Sequence, residues 1–318
     1  MHLRHTLAAM CFCLSATTPA LASESQPLRI VVGFPAGDVN DILARLMAEK
    51  MRASLDRPVL VENRAGAGGI IAAENVKAAA PDGNTVMLAP FATMVTFPHT
   101  FDKLRYDPAR DFAPVALAAT FDLAIAVRAD GPKTLAELTD AARKDVNLRN
   151  FASPAAGSLP HFFGLLYGQN AKMEMTHISY RGDPPAKQAL LAGEIGMMVA
   201  PVGAFLELAK GDRIRILATS GQQSNVLTPT VPTFKSLGLD LVASPWYAMY
   251  APAGTPAPVV DALSKAALAA VNDPDVRKRL ADIGLTPGEA GPQALAEIMR
   301  KDDATWAPII QASGFKAN

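Results

Sequence analysis

Apolar and polar positions along the chain follow two periods that trade places. Short aliphatic or aromatic runs predict buried strands at 30–32, 57–61, 85–89, 115–118, 123–127, 151–152, 177–180, 195–199, 215–219 and 246–251. Between them, apolar residues at i, i+3, i+4 spacing predict helices at 42–51, 70–79, 135–144, 161–167, 185–192, 259–271, 274–283 and 292–312. This strand–helix alternation predicts an α/β fold of parallel sheets covered by helices. No stretch has the composition of a flexible linker, so a domain boundary has to be a crossing of strands.

The first such unit carries the most chemistry. Ile30-Val31-Val32 makes a strand, Gly33-Phe34-Pro35-Ala36-Gly37 breaks it, and Asp38 and Asp41 open a helix through Ile42, Leu43, Leu46, Met47 and Met51. A strand, a tight turn and a helix N-terminus gather unpaired N–H groups and the positive end of a helix dipole at one point, which suits an anion.

Residues 1–22 read as an export signal: a basic start (His2, Arg4, His5), an apolar run over 7–14 and a closing Ala20-Leu21-Ala22. Cleavage after Ala22 would release a periplasmic chain starting at Ser23. Cys11 and Cys13 lack the small preceding residue of a lipoprotein site and leave with the signal, so no disulfide, thiol nucleophile or cysteine metal site is expected. The remainder of the 318 residues suits two domains better than one. Loss of the signal removes Arg4 and no acidic residue, leaving the 30 acidic residues one ahead of the basic ones. Near-neutrality without a basic block argues against nucleic acid as a partner. No later apolar stretch approaches the roughly 20 residues of a membrane helix.

Other constellations are weaker. Gly157-Ser158-Leu159-Pro160-His161 sets a hydroxyl three residues from an imidazole, the germ of a serine hydrolase, but such a site needs an orienting acid behind the base. The better reading is that Ser158 caps the helix at 161–167. His99, His161 and His177 lack metal-site spacing, so no metal is expected. Gly66-Ala67-Gly68-Gly69 is half a dinucleotide loop without its acidic partner, and reads as a close strand-to-helix turn; no cofactor is expected. Arg29, Arg45 and Arg64 are expected in structural or interlobe ion pairs. Trp246 and Tyr247 open a strand after Pro245 and suit a hinge, a cleft floor or the core.

A set of longer blocks carries a family resemblance. Pro-Leu-Arg-Ile-Val-Val-Gly-Phe-Pro-Ala-Gly (27–37), Val-Glu-Asn-Arg-Ala-Gly-Ala-Gly-Gly (61–69), Ala-Pro-Asp-Gly-Asn-Thr (80–85) and Tyr-Asp-Pro-Ala-Arg-Asp-Phe-Ala-Pro-Val (106–115) come first. Tyr-Arg-Gly-Asp-Pro-Pro-Ala (180–186), Val-Pro-Thr-Phe (231–234), Ala-Pro-Ala-Gly-Thr-Pro (251–256) and the closing 306–314 segment follow. In this order and over nearly the whole exported chain, the sequence resembles the Bug-type solute-binding proteins of tripartite tricarboxylate transporters. The resemblance implies a two-lobed periplasmic-binding-protein fold, a Venus flytrap of type II-like architecture with the ligand cleft between lobes. It places lobe 1 at 27–121 plus 222–318 and lobe 2 at 122–221, with crossings near 120–122 and 219–222. It implies a monomer that captures a small carboxylate-containing ligand and delivers it to membrane permease subunits; a sensor presenting the same ligand is the alternative. Carried over by position, the ligand-binding residues are Phe34, Pro35, Ala36, Gly37, Asp38 and Asp41 on one wall, with Thr93 beside them. Ser153, Ala156, Gly157, Ser158, His161, Tyr180, Gly182, Asp183, Ala200 and Pro201 form the other.

The chain departs from the family pattern where it matters for the ligand. Asp38 and Asp183 stand where the family has small or neutral residues, and the acids often found at Leu165 and Ala200 are missing. Like charges ~4 Å apart cost roughly 4 kcal/mol at an effective dielectric near 20. A second ligand carboxylate is therefore disfavoured, and an amine, amide or other donor favoured. Asp38 has two readings, a helix cap or a ligand contact; Asp183 is expected to be solvated.

Overall fold

The computed structural model describes residues 26–180 and 182–317; the export signal and its cleavage point lie outside the described residues. Two sheets form the frame. The first contains β1 (Leu28–Val32), β2 (Val59–Asn63), β3 (Thr85–Pro90), β4 (Phe112–Thr120), β10 (Trp246–Pro252) and β11 (Thr286–Pro287), in the order β11-β4-β10-β3-β1-β2. The second contains β5 (Leu123–Arg128), β6 (Asn150–Ser153), β7 (Thr176–Ser179), β8 (Met197–Pro201) and β9 (Ile214–Thr219), in the order β7-β6-β8-β5-β9. The helices of eight residues or more are α1 (Val39–Leu55), α2 (Ile70–Lys77), α3 (Leu135–Lys144), α4 (Leu159–Asn170), α5 (Asp183–Ala192), α6 (Ala257–Asn272), α7 (Pro274–Asp282) and α8 (Pro292–Ala312). None of the described helices is long and apolar enough to cross a membrane.

The sheets are mixed, not parallel throughout. β1 pairs in parallel with β2 and β3, and β6 with β7 and β8. β10 runs antiparallel to β3 and β4, and β5 antiparallel to β8 and β9. These two are the first strands after each crossing between sheets. A chain that leaves one sheet at the C-terminal ends of its strands enters the other from that same edge, and so runs against its neighbours. The crossings therefore reverse β5 and β10, and leave the loops after β1, β3, β6, β7 and β8 facing one cleft, the usual ligand edge of an α/β sheet.

The two crossings lie side by side. Phe121 N–H donates to Pro245 O at 3.0 Å, Ser220 N–H to Leu123 O at 2.8 Å and Ala243 N–H to Ser220 O at 3.0 Å. The buried Ser220 hydroxyl accepts from Leu123 N–H and donates to Ala243 O. Residues 222–243, expected in lobe 1, stay against the second sheet instead. Thr233 bridges Thr219, Phe234 N–H donates to Thr219 O at 3.0 Å, and the Phe234 ring meets Phe163 at 5.2 Å. The apolar Val231 and Phe234 have their buried surface there, which is why the chain returns only after Ala243.

The side chains of β1, β3 and β10 divide by strand alternation between two apolar layers. One layer packs α1 and α6 against the first sheet through Leu43, Met47, Leu263 and Ala267. The other runs from α2 and α8 past Trp246 into Leu123, Phe151 and Phe162 of the second sheet, so one core is continuous across the crossings. Trp246 belongs to this core, its indole N–H donating to Asp302 at 2.8 Å.

Candidate functional site

The first wall of the cleft is the turn after β1. Its conformation is set by a buried carboxylate. Asp41, buried one turn into α1, accepts from Gly37 N–H at 2.9 Å and Arg45 Nε at 2.9 Å through Oδ2, and from Asn63 Nδ2 at 2.8 Å through Oδ1. Asn63 also donates to Phe34 O at 3.0 Å, tying both ends of the turn to β2. Burial pushes the Asp41 pKa up, but its bonds from Arg45, Gly37 and Asn63 outweigh that and hold it below the ordinary carboxylate value. Asp38 takes the cap: its Oδ1 accepts from Asn40 N–H at 2.9 Å. Burial, offset in part by that bond and reinforced by the charge of Asp41, raises its pKa. Pro35, Ala36 and Gly37 are exposed and Phe34 is half-buried. Among the described residues, the N–H groups of Ala36 and Val39 find no acceptor in the protein.

The glycine turn of residues 66–69 supports this wall from behind. A Cβ on Gly33 would lie 2.4 Å from Gly69 Cα, so the backbones approach this closely only with glycine at 33, while Gly69 is needed for its φ of +100°. Thr93 is buried and donates its hydroxyl to Gly68 O at 3.0 Å. It holds the turn and does not face the cleft. Arg45 pairs with Asp41, and Arg29 and Arg64 pair with Glu62, all within the first sheet's unit.

The second wall is the loop after β6. Ser153 and Ser158 both donate to Ala155 O, at 2.9 and 2.6 Å, cinching it closed. Ser158 occupies the N-cap position of α4, which starts at Leu159, but its hydroxyl does not cap. The acceptor role falls to His161, whose Nδ1 receives Gly157 N–H at 3.2 Å. Ser158 and His161 are thus engaged with different backbone groups. Ser153 also meets His177 Nε2 at 2.7 Å, and the two imidazoles stack with centroids 3.8 Å apart. Burial lowers the His161 pKa to about 4; burial and then the neighbouring imidazole lower that of His177 to about 3. Ala156 is exposed, while Ala200 is buried in β8 beside half-buried Pro201. Tyr180 packs on the second-sheet core, its N–H donating to Ser153 O at 3.1 Å, and Gly182 N–H donates to Pro154 O at 2.9 Å.

Two groups from the first sheet's unit reach this second wall. Thr96 Oγ1 donates to Gly157 O at 3.1 Å. Phe315, just past α8, meets the His161 ring edge-on at 5.0 Å, and a Cβ on Gly157 would lie 2.9 Å from it. Its segment is anchored on the first unit by Ala317 N–H to Thr100 O at 2.8 Å and Lys316 to Asp102 at 2.9 Å. Sequence reasoning missed Asn63, Thr96, His177 and Phe315; of these only Asn63 lies in a block that carried the resemblance.

Asp183 departs from expectation. It is the first residue of α5, half-buried, and its Oδ1 is buried without a hydrogen-bond partner among the described residues. Burial raises its pKa; Lys187 lowers it and Asp38 raises it again, so the two cleft carboxylates feel each other. The Tyr247 hydroxyl, beside Phe121 at a ring distance of 5.5 Å, is driven up first by burial and then by Asp38 and Asp183. Asp38, Asp183 and Tyr247 therefore lie within electrostatic reach of one another. Two cavities, of about 700 Å³ beside His99 and Met299 and about 620 Å³ beside Leu206 and Pro229, include none of these loop residues.

Comparison with known proteins agrees with this architecture. The model of the tripartite tricarboxylate transporter family receptor, TctC, matches residues 43–315. BugT of Bordetella pertussis is 30% identical over 312 residues, spanning 95% of this chain and 94% of BugT. MatC (Rpa3494) from Rhodopseudomonas palustris, solved with bound malate, is 30% identical with a TM-score of 0.77, over 89% of this chain and 98% of MatC. R. palustris Rpa4515, solved with adipate, has a TM-score of 0.81 at 26% identity, over 91% of this chain and 98% of its own. With a two-sheet α/β frame, a cleft between paired crossings and this likeness along nearly its whole described length, the chain belongs to the TctC family of tripartite tricarboxylate transporter receptors, of the Bug type.

Proposed function

We propose that this protein is an exported receptor, released at Ser23, that captures a small organic acid between two lobes and presents it as a monomer to the permease subunits of a tripartite transporter. The observation that carries this reading is the α1 N-terminus. Its turn is locked by Asp41, Arg45 and Asn63 while Ala36 and Val39 keep their N–H groups for an anion. The malate and adipate complexes of its relatives support a small carboxylate as the ligand. Lobe 1 is the β1–β4, β10 and β11 unit and lobe 2 the β5–β9 unit. They move about the paired crossings, with the return crossing at residues 243–246 in place of 219–222.

A thermal-shift panel of mono-, di- and tricarboxylates and amino acids tests it. A ligand at ~100 times its dissociation constant adds about 2.7 kcal/mol, a rise of several degrees. At least one acid is expected to give a saturable rise that is lost when Gly37→Val distorts the first turn, where φ is +85°. A panel in which every acid leaves the midpoint unmoved overturns the reading.

A further inference from the structure

The second wall of the cleft is built against a plain dianion. α5 begins Asp183-Pro184-Pro185, and neither proline carries an N–H, so this helix start offers an anion fewer donors than that of α1. It presents an acceptor instead. Among the described residues, Asp183 Oδ1 is buried with no donor. The nearest ammonium on the same helix, Lys187, donates to Ala204 O at 3.3 Å. Buried polar atoms are almost always hydrogen-bonded, and an orphan carboxylate oxygen in a ligand cleft is explained by a donor that arrives with the ligand. Across the cleft Asp38 adds a second negative charge, only one of whose oxygens is engaged by the α1 cap. The Tyr247 hydroxyl lies within electrostatic reach of both.

Given a carboxylate-receiving cleft, as proposed above, we propose that Asp183 is its specificity residue and takes a cationic nitrogen of the ligand, whose single carboxylate rests on the amides of residues 36 and 39. The substrate class is a zwitterionic monocarboxylate. Its positive group offsets Asp183 and Asp38, and its negative group meets the α1 N-terminus. A dicarboxylate of the same length brings its second charge against two like charges with no donor to receive it.

Calorimetric titration with two matched series tests this: γ-aminobutyrate, butyrate and glutarate, and β-alanine, propionate and succinate. The amino member of a series is expected to bind at least about tenfold more tightly than its diacid. Asp183→Asn, which keeps the shape, should cut the amino member's affinity by about 10- to 100-fold, leave the plain monoacid within about threefold and improve the diacid. The ligand-free variant should melt no lower than the parent, because it loses a buried unpaired charge. Preference for the diacid in the parent, or an equal loss across all three members in Asp183→Asn, overturns the assignment of Asp183 and leaves the receptor standing. Failure of every acid in both series to bind, together with a flat thermal panel, overturns the receptor reading itself.

Discussion

The two loops that face each other across the cleft do the same job with different bonds. The turn after β1 is fixed by charge: Asp41, Arg45 and Asn63 all belong to one lobe, so the wall is complete whether or not the lobes meet. The loop after β6 is fixed by neutral groups, two serine hydroxyls and two imidazoles, and is finished only by Thr96 and Phe315 from the opposite lobe. The first wall is complete within its own unit. The second takes its last contacts from the other unit.

Acid should separate the two walls most sharply. His161 is neutral in the fold, its pKa lowered to about 4 from an ordinary 6.5. Between those values the unfolded chain binds the extra proton, so stability is whole above pH 6.5 and falls as pH drops towards 4. Each pH unit costs up to about 1.4 kcal/mol, roughly 3 kcal/mol in all for His161, and His177 acts in the same direction. Asp41 behaves otherwise: its lowered pKa gives stability that is present above the unfolded carboxylate value and is lost only in stronger acid. Asp38 and Asp183, raised by burial, oppose the loss over the carboxylate range. Denaturant titrations from pH 7 to 4 should show the histidine limb, and His161→Gln should flatten part of it, leaving the share of His177. A stability curve level across that range removes the histidines from the wall's support.

Next in size is the charge network itself. Asp41→Ala strips Gly37 N–H, Asn63 and Arg45 of their shared acceptor, and is expected to cost about 3 kcal/mol. Arg45→Ala should cost under about 1 kcal/mol, because Arg45 is 53% exposed and Asp41 keeps its other two donors. Equal losses in the two variants would mean that the ion pair, not the carboxylate's contacts with the turn, holds the first wall.

The sequence shows the first wall far better than the second, and the reason is distance along the chain. A β-branched strand, a Pro/Gly turn and an Asp before an apolar-periodic helix are local signals, so the turn at 33–38 and the cap at Asp38 are readable from ten residues. That Asp41 faces inward is not, since its partner Asn63 lies on the next strand. The strand directions are beyond pattern reading altogether: β5 and β10 look like their neighbours in composition, and only the crossings reverse them. Likewise 222–243 carries no linker or strand signature, and its allegiance to the second sheet is decided by where Phe234 is buried. Ser158 before a helix reads as a cap, yet Ala155 O competes for its hydroxyl and His161 supplies the acceptor.

Phe315 gives a smaller effect than Asp41 and the most direct view of the second wall. Its ring is half-buried, so Phe315→Ala should cost about 1–2 kcal/mol, less than the 3–5 kcal/mol typical of a fully enclosed phenylalanine. The loss should be local. The ring covers Gly157 and the edge of His161, so amide exchange at Gly157 and Phe162 should quicken while the amide of Gly37, tied to Asp41, keeps its rate. With the lobe closure proposed above, ligand affinity should fall as well, because the closed form loses a contact. Quickened exchange at Gly37 together with Gly157 would show that the two walls are held as one unit, and that the first is not an independent seat.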